Sequence, residues 1–273
     1  MDPHLVKAGP AALVPADTAT VGMPPTAPSS LPHVALDTPP TGPPPTPQNQ
    51  LIERLPVADR ERLLAQCDWV SLPLAGCLYA PDQVGVHAYF PVSGVVSMTL
   101  RADAHPGLEV GMVGREGMLG LPLALGVAAA PFWATVQGPG AAWRVPAAAL
   151  QGEVACSSAL RGVLNRYVFV CMAELATGAA CQRFHLIGPR LARRLLMSQD
   201  RAGTHRFHVT QESLAHMLGV RRVGVTTAAG ALQRRGLIEY HRGDLTVLNR
   251  AGLEAAACGC YAQDRQSYAR LMA

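Results

Sequence analysis

The sequence predicts an α+β chain in which an N-terminal antiparallel β jelly-roll barrel precedes a long dimerisation helix and a C-terminal winged helix-turn-helix. Three observations predict it. Between residues 69 and 145, seven short strand-like runs alternate with Gly, Pro and Asp turns. From about Ser158 to Cys181, apolar residues recur at helical spacing. From Val209 to Leu248, two helix-like segments joined at Gly219 lead into a pair of alternating strands. Evenly spaced short strands with turn signals favour a small antiparallel barrel or jelly roll, and apolar positions three and four apart mark helices.

Residues 1–48 hold more than half of the 23 prolines and few residues able to build a core. This stretch is expected to be a disordered or polyproline-like tail without an assigned function. Order is expected from Asn49, where Leu51-Ile-Glu-Arg-Leu and Ala58-Asp-Arg-Glu-Arg-Leu-Leu-Ala form two short amphipathic turns. The strand-like runs are 69–74, 77–80, 87–91, 95–100, 108–113, 133–137 and 141–145, so the β-roll spans 49–157.

The long helix, within 158–182, would extend roughly 35 Å at about 1.5 Å per residue. Leu160, Leu164, Tyr167, Cys171 and Glu174 trace one face, while Val163, Val168, Val170 and Leu175 leave little of the circumference polar. A helix apolar on more than one side must be covered on more than one side. The barrel and the same helix of a second copy would cover it; a core helix of a monomer is the alternative. A break over Arg183 to Pro189 then precedes a helix from about Arg190 to Asp200. A winged unit over 183–250 and a terminal helix over 251–273 complete the division.

Within the winged unit, Thr210 is a good N-cap, with Gln211 and Glu212 in the first turn. Leu214, Met217 and Leu218 form a buried face, and Gly219 permits the tight turn. The second helix carries Val225, Ala228, Ala229 and Leu232 on its apolar side, and Arg222, Thr226 and Thr227 opposite. It ends in Arg234-Arg235-Gly236, positive charge and a C′ glycine being what helix ends prefer. Residues 237–240 and 245–248 pair around a turn at His241-Arg242-Gly243-Asp244. A helix presenting Arg and Thr near its N-terminus suits a major groove, since Arg donates twice to guanine and Thr reaches base edges or a thymine methyl. Double-stranded DNA is therefore the expected partner. Arg222 is expected to read a base with Thr226 or Thr227 contributing, while Gln211, Arg221 and Arg242 lie toward phosphates and Thr210 completes the DNA-binding set. An ordinary solvated turn is the alternative for Arg242.

The net charge of +4 over 273 residues is small, so nucleic-acid binding must come from local clustering. Arg190, Arg193, Arg194, Arg201, Arg221, Arg222, Arg234, Arg235 and Arg242 supply it. The seven cysteines have no regular spacing and fit a reducing compartment. Cys258-Gly-Cys260, with no matching CxxC or HxxxH partner, is a weak metal signal, and no metal or cofactor is expected. Neither a signal-peptide pattern nor an apolar run of membrane-spanning length is found in the sequence, so a cytoplasmic chain without a membrane partner is expected. Neither a Gly-x-Ser-x-Gly elbow, a phosphate loop nor His-Glu-x-x-His is present, so no enzyme is expected.

Tyr89-Phe-Pro-Val-Ser-Gly-Val-Val-Ser97 and Thr210-Gln-Glu-Ser-Leu-Ala-His-Met-Leu-Gly-Val-Arg-Arg222 resemble the barrel segment and the helix-turn-helix of the Crp/Fnr family of bacterial transcription regulators. The resemblance covers about Asn49 to Cys260. It implies a cyclic-nucleotide-binding-like roll, a homodimer on a palindromic site, and action at promoters with RNA polymerase. Cyclic-nucleotide-binding members hold the ribose with a glutamate and the cyclic phosphate with an Arg-Ser or Arg-Thr pair. Here Leu121 falls at the glutamate position and Pro131-Phe132 near the arginine pair, so no cyclic nucleotide is expected. Arg115 and Glu116 could form a relocated effector site, or a structural ion pair or solvated turn; Phe132 and Trp133 could line a pocket for an unidentified small molecule, or be core. The family's iron-sulfur branch needs an N-terminal cysteine cluster, and the first cysteine here is Cys67. His87 and His105 read as surface or satisfied residues. Arg222 matches the family's first reading arginine, whereas Val223 and Thr227 replace its acidic reader and later arginine.

Overall fold

The computed structural model describes residues 49–101 and 107–273. The Pro-rich tail and His105 therefore lie outside the described residues.

The first half comprises α1 (Gln50–Glu53), α2 (Val57–Leu64), β1 (Asp68–Leu72), β2 (Cys77–Tyr79), β3 (His87–Pro91), β4 (Val95–Leu100), β5 (Leu108–Val113), α3 (Leu121–Ala124), β6 (Trp133–Gly138) and β7 (Gly140–Pro146). All pairings are antiparallel, in two sheets of order β1-β7-β3 and β2-β6-β4-β5. Phe90, Val96, Ala134, Val136 and Val145 are buried between them, as alternating strand positions should be. Buried Asn49 fixes the segment that leads into α1 to this roll. Its Oδ1 accepts from Leu51 and Ile52 amides at 3.1 and 3.3 Å, and its Nδ2 donates to Pro91 and Gly117 carbonyls at 2.9 and 2.8 Å. At Ser93-Gly94 the chain crosses the β6–β7 turn so closely that a Cβ on Gly94 would lie 2.5 Å from the Gly138 carbonyl, and φ is +83°.

Two helices follow, α4 (Ala147–Cys156) and the 27-residue α5 (Ser158–Phe184). Ser157 starts α5 by accepting from the Leu160 amide at 3.0 Å. Leu160, Val163, Leu164, Tyr167 and Val170 of α5 join the roll core. Its other side leaves Phe169, Met172 and Leu175 more than half exposed.

α6 (Ile187–Ala202) begins earlier than the expected Arg190, because Pro189 sits in its first turn, where the missing N–H costs nothing. The non-helical joint between α5 and α6 is thus only His185–Leu186, shorter than the expected break over 183–189. Then come β8 (Arg206–His208), α7 (Gln211–Leu218), α8 (Arg222–Arg234), β9 (Ile238–His241), β10 (Asp244–Val247), α9 (Arg250–Ala256) and α10 (Cys260–Leu271). Leu191, Leu195, Leu214, Val225, Ile238, Leu245 and Leu253 form a second core.

Where one terminal helix is expected from Ala251, the chain makes two, interrupted by Ala257-Cys258-Gly259. α10 packs on α5 and returns to the roll, where Tyr268 donates to the Glu116 carbonyl at 2.7 Å and Met272 is buried. No helix among the described residues is long and apolar enough to cross a membrane.

Candidate nucleic-acid interface

The helix pair is built by local chemistry that its sequence dictates. Thr210 Oγ1 accepts from the Ser213 amide at 3.0 Å, capping α7. Gly219 ends it at φ +62°, in the left-handed region. The Arg190 guanidinium donates to the Leu218 carbonyl and so satisfies an otherwise free carbonyl at that end. α8 then buries Val225, Ala228, Ala229 and Leu232 and leaves Arg221, Arg222, Val223, Thr226 and Thr227 exposed.

On that exposed face, Thr226 Oγ1 donates to Gln211 Oε1 at 2.6 Å, which leaves the Gln211 amide NH2 free to donate outward. The hydroxyls also approach the helix's own carbonyls, Thr226 to Arg222 at 3.1 Å and Thr227 to Val223 at 3.0 Å. What each threonine offers a base is therefore its methyl group and a lone pair.

β9 and β10 join through Arg242-Gly243, both at positive φ (49° and 91°), as a two-residue hairpin turn requires. β8 extends this wing to three strands in the order β8-β10-β9. It brings Arg206 and His208 beside Asp244, at 3.7 and 3.2 Å. Tyr240 donates to the Val209 carbonyl at 2.6 Å and pins the wing to the start of α7. Burial pushes its phenol up to about 12, against the opposing charge of nearby Arg222, so the wing base lies beside the N-terminus of α8.

The nine clustered arginines divide into two groups. Arg221, Arg222, Arg234, Arg235 and Arg242 are exposed, and no carboxylate among the described residues pairs with them. The other four turn inward, contrary to the expectation that the whole cluster faces phosphates. Arg190 caps α7, Arg193 pairs with Asp264 at 2.6 Å, and Arg194 pairs with Glu109 of β5 at 2.7 Å.

Arg201 of α6 lies between Glu116 of the roll at 2.9 Å and Glu174 of α5 at 3.0 Å. Its Nε also donates to the Met112 carbonyl at 3.0 Å. Burial raises the Glu116 carboxyl above its ordinary value, against the pull of Arg201. The native state therefore holds this proton more tightly than the unfolded chain, and stability falls as pH rises through that window. Glu116→Gln removes this slope, so its stability relative to native protein should increase from pH 5 to pH 8 in urea titrations. A constant difference would contradict the assignment.

The four candidate effector residues do not share one site: Arg115 and Glu116 both line a cavity of about 400 Å³ with Arg201, Asp264 and Tyr268, which does not include Phe132 or Trp133. Phe132 lines an apolar cavity of about 330 Å³ with Met98, Met112, Leu121, Tyr167 and Leu175. Trp133 lies on β6 under the Arg101 guanidinium, 5.4 Å from the ring centroid. Glu116 is committed to Arg201, and the Arg115 side chain is exposed. Neither makes the ion pair with the other that the sequence allows. Leu121 and Pro131, which the resemblance sets against polar groups of nucleotide-binding members, both line the apolar cavity, where Glu174 is the one charged residue among the described residues.

A cluster that the sequence does not anticipate lies at the far end of α5. Cys181 and His185 meet Cys258 and Cys260, supplying the partners that the Cys-Gly-Cys pair lacks in sequence.

A family model described as a Crp-like helix-turn-helix domain matches residues 189–256. A comparison with curated proteins finds no match. Solved structures similar to the chain include FixK2 from Bradyrhizobium japonicum, with TM-score 0.60, 14% identity, and 70% of this chain and 98% of that one covered. A putative Crp/Fnr-family transcriptional regulator from Eubacterium rectale has TM-score 0.58, 18% identity, and coverage of 76% and 96%. The c-di-GMP responsive global regulator CLP from Xanthomonas campestris has TM-score 0.56, 16% identity, and coverage of 70% and 99%. The chain thus carries a Crp-like helix-turn-helix domain within the fold of the Crp/Fnr transcription regulators.

Proposed function

We propose that the protein is a homodimeric transcription regulator that reads a palindromic DNA site with α8 and needs no cyclic nucleotide to do so. The observation that carries this reading is the exposed set Arg222, Thr226 and Thr227 on α8, with Arg221 at its N-cap and Arg242 at the wing tip, the three arginines pairing with no carboxylate among the described residues. Arg222 lies in the first turn of α8, where the helix can point it at a guanine edge. Val223 is 68% exposed beside it and offers methyl groups to a thymine. Thr210, Gln211, Arg221 and Arg242 face the backbone on either side.

Dimerisation follows from α5. Phe169, Met172, Ala176, Ala179 and Arg183 share an exposed stripe at spacings of three and four. A second copy of the helix covers such a stripe most economically, and a dimer places two α8 helices on half-sites about 34 Å apart. The apolar cavity supports this reading, since among the described residues no cation lines it to compensate a cyclic phosphate.

Selection from a pool of random duplexes tests this reading. A palindrome should be recovered without added nucleotide, and its affinity should fall steeply with salt. Arg222→Ala should lose about 1 to 3 kcal/mol at the selected site and relax discrimination at one base pair in each half-site. Discrimination that survives this change would remove Arg222 from base reading.

The cavity itself favours a second reading. At about 330 Å³ it is within the size of small-ligand sites, and Tyr167, Cys171 and Leu175 of α5 form one wall. An uncharged, apolar effector bound there would act directly on the dimer helix. A ligand at about 100 times its Kd would add roughly 2.7 kcal/mol to stability, visible as a thermal shift.

A further inference from the structure

Cys181 and His185 stand one turn apart where α5 ends, and Cys258 and Cys260 flank Gly259 in the turn that opens α10. The ligand atoms of these four residues all lie within 4.8 Å of one another. Cys181 Sγ is 3.5 Å from Cys258 Sγ, and Cys260 Sγ is 3.6 Å from His185 Nδ1. Zinc bound at about 2.3 Å to sulfur and about 2.0–2.1 Å to nitrogen requires tetrahedral edges of roughly 3.8 Å between sulfurs and roughly 3.6 Å from sulfur to nitrogen. The two observed edges are close to these lengths. The other separations, up to 4.8 Å, would contract by about 1 Å or less to reach a tetrahedral edge, a shift within the reach of side-chain movement.

Ordinary burial of thiols explains the arrangement less well. Cys181, Cys258 and Cys260 form a cluster of their own, separate from the two apolar cores. A disulfide would use two sulfurs and leave the third cysteine and the imidazole without a role.

We propose that Cys181, His185, Cys258 and Cys260 bind one divalent ion of the zinc class. Three thiolates and a neutral imidazole around such an ion leave one net negative charge, and Arg193, which also pairs with Asp264, lies within electrostatic reach of Cys181 and Cys260. The His185 side chain is exposed, which gives the ion a path from solvent. The site ties the end of α5 to the start of α10 at the first residue of the short joint that leads into α6. Occupancy thereby limits how far the DNA-reading unit can swing about α5, and this role is independent of which bases α8 reads.

The test uses the full chain, purified under reducing conditions with zinc and freed of excess ion. Elemental analysis should give one zinc per chain. Replacement by cobalt(II) should give a thiolate-to-metal charge-transfer band and the visible bands of a tetrahedral ion. Cys258→Ser with Cys260→Ser should abolish both, while Cys156→Ser, which changes an exposed cysteine outside the cluster, should leave both intact. His185→Ala alters an exposed side chain and should leave the fold unchanged; by competition with a chelating dye it should bind the ion at least about 100-fold more weakly. Native protein without stoichiometric ion and without the charge-transfer band would overturn the proposal. So would unchanged affinity in His185→Ala, or a Cys181–Cys258 disulfide as the sole state of the cluster.

Discussion

Arg201→Met is expected to destabilise the protein by about 3–5 kcal/mol, the cost of leaving buried carboxylates without their counter-charge. Arg201 joins three parts of the chain, pairing Glu116 of the roll with Glu174 of α5 from its own place on α6. Methionine fills similar volume but leaves Glu116, raised by burial even with Arg201 present, facing Glu174 without compensation. Glu174 is partly exposed and can take up water, so the larger share of the loss falls on Glu116. Urea unfolding at pH 7 measures the change, and the loss should shrink as pH falls and Glu116 protonates. A change below about 1 kcal/mol, the range of exposed ion pairs, would mean that the triad contributes no more than a surface bridge.

Phe169→Glu combined with Met172→Glu is expected to convert a dimer into a folded monomer. Both side chains are more than half exposed on α5, so the substitution removes nothing from the roll core. Each apolar side chain buried against a second copy contributes about 1.5–3 kcal/mol, and each is lost from both protomers. Self-association should weaken at least 100-fold, about 2.7 kcal/mol, by sedimentation equilibrium. Affinity for a full palindrome should fall to that for a half-site, while thermal unfolding of the monomer keeps its cooperativity. An unchanged dimer would move the interface away from this stripe.

Much of this arrangement is legible in the chain itself, because its strongest signals are local. Ser93-Gly94 and the other turn pairs punctuate the strands, and Thr210 with Gly219 marks both ends of α7. Weak local signals were lost. α4 is an alanine-rich segment with Gly152 inside it and Leu150 as its one buried residue, so no apolar stripe announces it. β8 has three residues, too few for alternation to stand out.

Long-range partnerships are the other gap. A charge run does not say which arginines turn inward, and Arg193, Arg194 and Arg201 look no different in sequence from Arg221 and Arg222. Their partners Asp264, Glu109 and Glu116 lie 71 to 85 residues away. The cysteine cluster is hidden for the same reason, since Cys181 and Cys258 are 77 residues apart. Among the candidate effector residues, Phe132 lines the apolar cavity, while Arg115 and Glu116 line a separate, polar one.

The central claim, a dimer that reads DNA through α8 without a cyclic nucleotide, is tested most directly by titrating the selected palindromic duplex with protein, with and without saturating cyclic nucleotide. The account predicts two chains per duplex, an affinity unaffected by nucleotide, and much weaker binding to a single half-site. Binding only in the presence of nucleotide, or one chain per duplex with equal affinity for the half-site, would contradict it.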